Sequence, residues 1–294
     1  MEFLSKFRLF IQAKKATIFL LIAASINLLV FAYLFGFHPN NDTDSYIISI
    51  QFFRGEGNEI FPNRFLNPFY SVVAATIFRG LSPENSIIIT NIVFYFGLVL
   101  LSYGLLRRVF KSAFIGVVSS LFIMTSYTLL RYGLTQVQDI GGYFWFVLTL
   151  YCGWRYREEK KDAWLYIGGI AVGFGMLTKE SGAMGALFVG ALFLFEKNNL
   201  KEKIINFLKF SLIPFFVLLI NQSRGKDVGS SSAKWFLDNW KVYAHDNYQF
   251  IKWLGVNIST YNFLWLLIFI GAVIMILKRK EVSTEIQVFF AAIL

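Results

Sequence analysis

The amino-acid sequence predicts an all-α, polytopic transmembrane bundle of about eight or nine spans with a cytoplasmic N-terminus, and three observations carry that prediction. First, 56% of the 294 residues are hydrophobic and 19% aromatic, at a mean hydropathy of +0.56. A single soluble core of ordinary composition does not hide that much apolar surface. Second, the apolar residues come in runs, at 17–37, 86–106, 112–130, 140–154, 163–177, 181–195, 204–220 and 261–277, with a ninth beginning near Val282. Third, the charges lie between the runs in a pattern that one orientation explains.

With the N-terminus in the cytoplasm, the inner segments carry 18 basic and eight acidic residues, whereas the outer segments carry ten of each. The whole net charge of +10 then falls on one face, as the positive-inside rule requires. The basic excess is thus a topological signal, and nucleic acid is not needed as a partner to explain it.

The first run follows Lys6, Arg8, Lys14 and Lys15, and its 21 residues suffice to cross hydrocarbon about 30 Å thick. No small-residue cleavage site follows, so an uncleaved signal-anchor helix is expected. The first outer loop, 38–85, holds an apolar piece at 68–78 that is too short to span and reads as an interfacial helix. The 15-residue runs at 140–154, 163–177 and 181–195 are short for spans, so their ends are expected to extend into polar flanks or to sit inside the bundle. The outer loop 221–260 mixes charge with Trp235, Trp240, Tyr243, Tyr248 and Trp253, the composition of an interfacial belt or of a sugar-binding surface. Residues 1–294 read as one membrane domain whose last apolar run is still open at Leu294, so a C-terminal continuation is expected. The single cysteine, Cys152, excludes an intramolecular disulfide framework and a multi-thiol metal site.

The groups able to do chemistry gather on the predicted outer side. Asp42 and Asp44 stand where the first helix leaves the lipid. Two carboxylates there are compatible with a divalent metal such as Mg or Mn, or with one acting as general base while the other tunes it. On a continuous helix they point about 200° apart; both face one substrate only if Asp42 lies in the turn before the helix and Asp44 in its first turn. Helix capping is the competing reading of this pair. Asp139 opens the run 140–154, where the helix dipole also favours an acid. Lys179 and Glu180 lie between two apolar runs, where either charge is costly without water, a partner or a substrate. A tight hairpin is the plain alternative, although such a turn ordinarily uses Gly, Asn or Pro. Arg64 either holds a phosphate through paired hydrogen bonds or snorkels to headgroups. Arg131 joins Asp139 in the second outer turn.

Four segments together resemble the C-type glycosyltransferase superfamily, in its protein-mannosyltransferase-like and aminoarabinose-transferase-like branch. Asp42-Thr43-Asp44-Ser45-Tyr46 followed by Arg54-Gly55-Glu56-Gly57 is similar to its acidic first-loop motif, and Arg64-Phe65-Leu66-Asn67-Pro68-Phe69-Tyr70 to its Arg/Pro segment. Asp139 with Phe144-Trp145-Phe146-Val147-Leu148, Arg155 and Arg157 resembles the second-loop acid and its helix. Gly173-Phe174-Gly175-Met176-Leu177-Thr178-Lys179-Glu180 resembles the Gly-rich helix that ends in Leu-Thr-Lys. Many members have Asp-Glu where this chain has Asp-Thr-Asp, which leaves the choice of base open between Asp42 and Asp44.

The resemblance implies an integral protein of the plasma or inner membrane with its active site on the extracytoplasmic side. It implies transfer of a sugar from a polyprenyl-phosphate-linked donor to a hydroxyl acceptor (lipid, glycan or protein) by one inverting displacement. In that reaction Asp42, Asp44 and Asp139 serve catalysis, while Lys179, Glu180, Arg64, Tyr46 and Arg131 bind substrate and phosphate. Two rival classes differ from it in what they require. A transporter or flippase of lipid-linked sugars needs charges buried in mid-helix and inverted repeats, whereas the notable charges here stand at run ends. A non-catalytic scaffold or half-enzyme needs a missing C-terminal part for activity.

Overall fold

In the computed structural model the described residues are 2–39, 42–60, 67–135, 137–195 and 199–228. Arg64, nearly all of the 221–260 loop and the expected spans at 261–277 and from Val282 lie outside them. Among the described residues all regular structure is helical.

Helix α1 (Glu2–Leu34) covers the first apolar run, and its part Lys14–Leu34 is long and apolar enough to cross a membrane. Helix α2 (Thr43–Arg54) stops at Gly55, whose φ of +75° suits glycine; the amides of Gly55 and Glu56 turn back to the Phe52 and Gln51 carbonyls at 3.0 and 2.9 Å. Helix α3 (Phe69–Ile77) is the short apolar helix expected at 68–78. Helix α4 (Pro83–Val109) starts from Ser82, whose hydroxyl accepts the Asn85 amide hydrogen, with Pro83 at the first helical position. It is a second helix of spanning length, and Leu200–Ile220 is the third.

The run 112–130 forms two helices rather than one: α5 (Ala113–Met124) and α6 (Tyr127–Gly133). The cause is local. The Thr125 hydroxyl bonds back to the Leu121 carbonyl at 2.7 Å, and the Ser126 hydroxyl accepts the Leu129 amide hydrogen at 3.5 Å, so a new helix begins at this Thr-Ser pair. Helix α7 (Asp139–Glu159) carries the 140–154 run five residues further into its polar flank. Helices α8 (Ala163–Thr178), α9 (Glu180–Ala183) and α10 (Gly185–Phe195) follow, then α11 (Leu200–Val228), which contains Pro214.

The chain forms two compact units, Met1–Pro214 and Phe215–Leu294; of the second, the end of α11 is described. In the first unit α7 is central, packing against α4, α8, α9 and α10, while α5 lies between α1 and α4. Two buried or half-buried polar side chains tie helices together inside this apolar body. Asn27 on α1 donates to the Tyr95 hydroxyl at 3.0 Å and to the Met124 carbonyl at 2.8 Å, which ties α1 to α4 and α5. Arg54, buried at the end of α2, donates to the Leu81 carbonyl at 2.9 Å, the Phe78 carbonyl at 3.2 Å and the Ser86 hydroxyl at 2.7 Å. It thereby satisfies the carbonyls of the α3–α4 turn, a structural task for one of the basic residues of the first loop.

Charges collect at the two ends of α7, which its 21 residues separate by about 30 Å. At its C-terminal end Arg108 pairs with Glu158 at 2.7 Å, Arg155 pairs with Glu159, and Lys209 pairs with Asp162 at 2.5 Å. The Trp164 indole N–H, with Arg155 beside it, holds the Glu159 carboxyl below the usual carboxylate range. At its N-terminal end stands Asp139.

Candidate functional site

The site is built where α8 breaks. After Thr178 the backbone of Lys179 turns extended (φ −159°, ψ 148°), and α9 starts at once with Glu180. Thr178 is fully buried and spends its hydroxyl on the Phe174 carbonyl at 2.7 Å. The Lys179 amide closes on the Gly175 carbonyl at 2.8 Å, and the Lys179 carbonyl accepts from the Gly182 amide at 2.9 Å. The link is therefore short and held on both sides, and it aims the lysine side chain at the first residue of α7.

There Lys179 Nζ donates to Asp139 Oδ1, closing an ion pair across 40 positions of sequence. The two side chains keep 35% and 25% of their exposure, so the pair is partly shielded yet open to a ligand. Glycines permit the approach. A Cβ on Gly142 would lie 2.6 Å from Ser181 Oγ and 3.3 Å from Lys179 Cβ. Gly175 and Gly182 press backbone on backbone, with a Cβ on Gly175 falling 2.6 Å from the Gly182 carbonyl oxygen.

Gly175→Ala is accordingly expected to push α9 away from α8 and to carry Lys179 off Asp139. The cost is that of overpacking, about 1–3 kcal/mol. Gly190→Ala on α10 is the control, since a Cβ there meets nothing within 4 Å, and it is expected to be neutral or to stabilise by up to about 1 kcal/mol. Equilibrium unfolding of both variants in detergent checks the contrast; equal losses would contradict this packing account.

Beneath the pair lies an aromatic floor. Phe69 stacks on Phe174 with centroids 4.5 Å apart, and Trp145 packs against both, at 5.5 and 5.3 Å. A polar strut runs alongside it. The hydroxyl of buried Tyr70 lies 3.1 Å from the Ile87 carbonyl and bonds to Asn91 Oδ1, and Asn91 Nδ2 donates to the Thr135 carbonyl at 2.5 Å. The strut joins α3 and α4 to the loop that delivers Asp139. The Tyr70 ring also reaches α7, 3.5 Å from where a Cβ on Gly141 would sit.

The first-loop residues take up distinct positions. Asp42 is exposed just before α2 and makes no side-chain cap bond to that helix; its carbonyl accepts from the amide and hydroxyl of Ser45, at 3.1 and 2.7 Å. Asp44 is exposed in the first turn. Asp42 thus lies in the turn before α2 and Asp44 in the first turn of that helix. Tyr46 is 3% exposed and sets its ring edge-on to Tyr70 at 6.2 Å, so α2 connects through two rings to the N-terminal end of α7. Arg131 is exposed in the last turn of α6. The side chain of Glu180 lies outside what is described.

Among the described residues no group of three or more His, Cys, Asp and Glu gathers to hold a metal ion. Asp42 and Asp44 offer two carboxylates to a divalent cation, and any further ligands would come from substrate phosphate or water. Sequence reasoning named neither the Tyr70–Asn91–Thr135 strut nor the contacts of Gly142 and Gly175. Asn91 carried a usable signal, as an amide within the apolar run 86–106.

The sequence profile of the dolichyl-phosphate-mannose-protein mannosyltransferase family matches residues 67–221, more than half of the chain. The chain belongs to this family. It is therefore a C-type glycosyltransferase by family, and three helices among the described residues are long and apolar enough to cross a membrane, which fits an integral membrane protein. The matched region contains the aromatic floor, the strut, Asp139 and Lys179; Asp42, Asp44 and Tyr46 precede it. No curated protein and no solved structure matches the chain.

Proposed function

We propose that the protein transfers a sugar from a polyprenyl-phosphate-linked donor to a hydroxyl acceptor on the extracytoplasmic face of the membrane. The observation that carries the reading is the Asp139–Lys179 pair. A phosphate leaving group needs its developing charge neutralised rather than a proton. The Lys179 ammonium, held by Asp139, supplies that positive charge at the α8–α9 link. Asp139 fixes where the ammonium stands, and the N-terminal dipole of α7 adds positive potential beside it. Arg64 and Arg131 belong to the same predicted face and supply further donors.

On the acceptor side, Asp42 or Asp44 removes the hydroxyl proton as the oxygen attacks the anomeric carbon, and the carbon–oxygen bond to phosphate breaks. Tyr46, wedged on Tyr70, positions α2 relative to α7. The outward orientation is supported by the pairing of charges: Asp139 and Lys179 come from predicted outer turns, while Arg108, Glu158, Asp162 and Lys209 come from predicted inner segments and meet at the other end of α7. The same orientation supports eight or nine spans, with the aromatic 221–260 loop facing outward.

A single displacement inverts the anomeric centre. The chain in bilayer nanodiscs, given a radiolabelled polyprenyl-phosphate-mannose and a hydroxyl acceptor, is expected to release polyprenyl phosphate and to yield a glycoside of configuration opposite to the donor, read by NMR. A product that retains the configuration, or no release above the protein-free control, would overturn the reading.

A further inference from the structure

The strongest feature outside the candidate site is a crevice between α4 and α7, toward the far end of α7 from Asp139. Its volume is about 310 Å³, and its lining includes Gly97, Leu101 and Gly104 from α4 and Phe144, Leu148 and Tyr151 from α7. Each set follows the same helical stripe, at intervals of four and then three residues. Four residues further along each stripe stands an arginine, Arg108 on α4 and Arg155 on α7.

Both arginines close on the ring at the end of the crevice. Arg155 Nη1 donates to the Tyr151 hydroxyl at 2.8 Å, and the Arg108 guanidinium lies 5.8 Å from the centre of the Tyr151 ring. Their carboxylate partners, Glu158 and Glu159, do not cancel the local charge, because residues 107–111 and 155–161 hold seven basic side chains against those two acids. Arg107 adds charge beside them, lying over Tyr103 at 5.9 Å with no carboxylate partner among the described residues. Each guanidinium has five N–H donors and retains some after its carboxylate is served. Arg155 Nε is buried without a partner among the described residues.

We propose that this crevice binds one anionic phospholipid, with an acyl chain along the two apolar stripes and the phosphate on Arg108 and Arg155. A zwitterionic lipid would bring its own cation into an already basic mouth, so charge complementarity selects the anionic headgroup. The arginine mouth of the site lies about 24 Å along α7 from Asp139, and the proposal does not depend on the reaction proposed above.

The test uses the full chain in nanodiscs of phosphatidylcholine alone or mixed with phosphatidylglycerol, with retained lipid counted by native mass spectrometry after release into mild detergent. The expected result is one phosphatidylglycerol held in preference to phosphatidylcholine. Leu101→Trp, which fills the crevice, and Arg108→Gln, which weakens the mouth, should each lower that retention about fivefold, while thermal melting reports whether each variant stays folded. Equal retention of the two lipids would overturn the proposal. So would phosphatidylglycerol retention unchanged in whichever variant remains folded, or preferential retention of added polyprenyl phosphate at this site.

Discussion

Lys179→Met is expected to lower kcat/KM for sugar transfer by about 10²–10³-fold, the range seen when one preorganised donor to a developing anion is removed. The extended residue 179 between α8 and α9, pinned by the Gly175 and Gly182 backbone bonds, leaves its side chain little choice but the N-terminal end of α7. Methionine keeps the length and apolar bulk of the stem, so folding should survive while the charge is lost. The loss should be shared by kcat, because the phosphate carries more charge in the transition state than in the donor. Lys179→Arg separates charge from placement: it keeps the cation, yet a planar fork does not reproduce a point charge in a confined link, so recovery should be partial. A steady-state assay with varied donor reads both effects. Full activity in Lys179→Met would remove the phosphate role.

The second large effect is expected at the first-loop carboxylates. If one of them is the general base, its conversion to the amide should cost about 10²–10⁴-fold, and the other should cost much less. Both are exposed, and substitutions at exposed positions usually change stability little. Asp42→Asn and Asp44→Asn should therefore leave the melting temperature nearly unchanged. Comparing the two variants by single-turnover transfer identifies the base, and wild-type rates in both would exclude either from that role.

Much of the architecture was legible because its signals are local. The anchor at 17–37, the short helix at 68–78 and the break at Thr178-Lys179 are written in run length, in Pro68 and in a charge placed between apolar runs. The division of 112–130 was missed because hydropathy averages over the Thr125-Ser126 pair, whose hydroxyls start a new helix. Of the site, Asp139 and Lys179 were each visible as acid and base at run ends. Their meeting was not, because it depends on how closely α7 can approach the α8–α9 link, and glycine contacts at 142, 175 and 182 decide that. A glycine in an apolar run signals close packing without naming its partner. The same holds for the packing of Tyr46 against Tyr70, which its motif does not name.

In this reading the Asp139–Lys179 corner receives the donor's phosphate. Titration of polyprenyl phosphate into nanodisc-embedded protein, followed by the phosphorus NMR shift, measures that contact. Wild type is expected to bind saturably, Lys179→Met to bind about tenfold or more weakly for want of one charge-assisted contact worth about 1.5–3 kcal/mol, and Lys179→Arg to fall between. Identical affinities in wild type and Lys179→Met would contradict it.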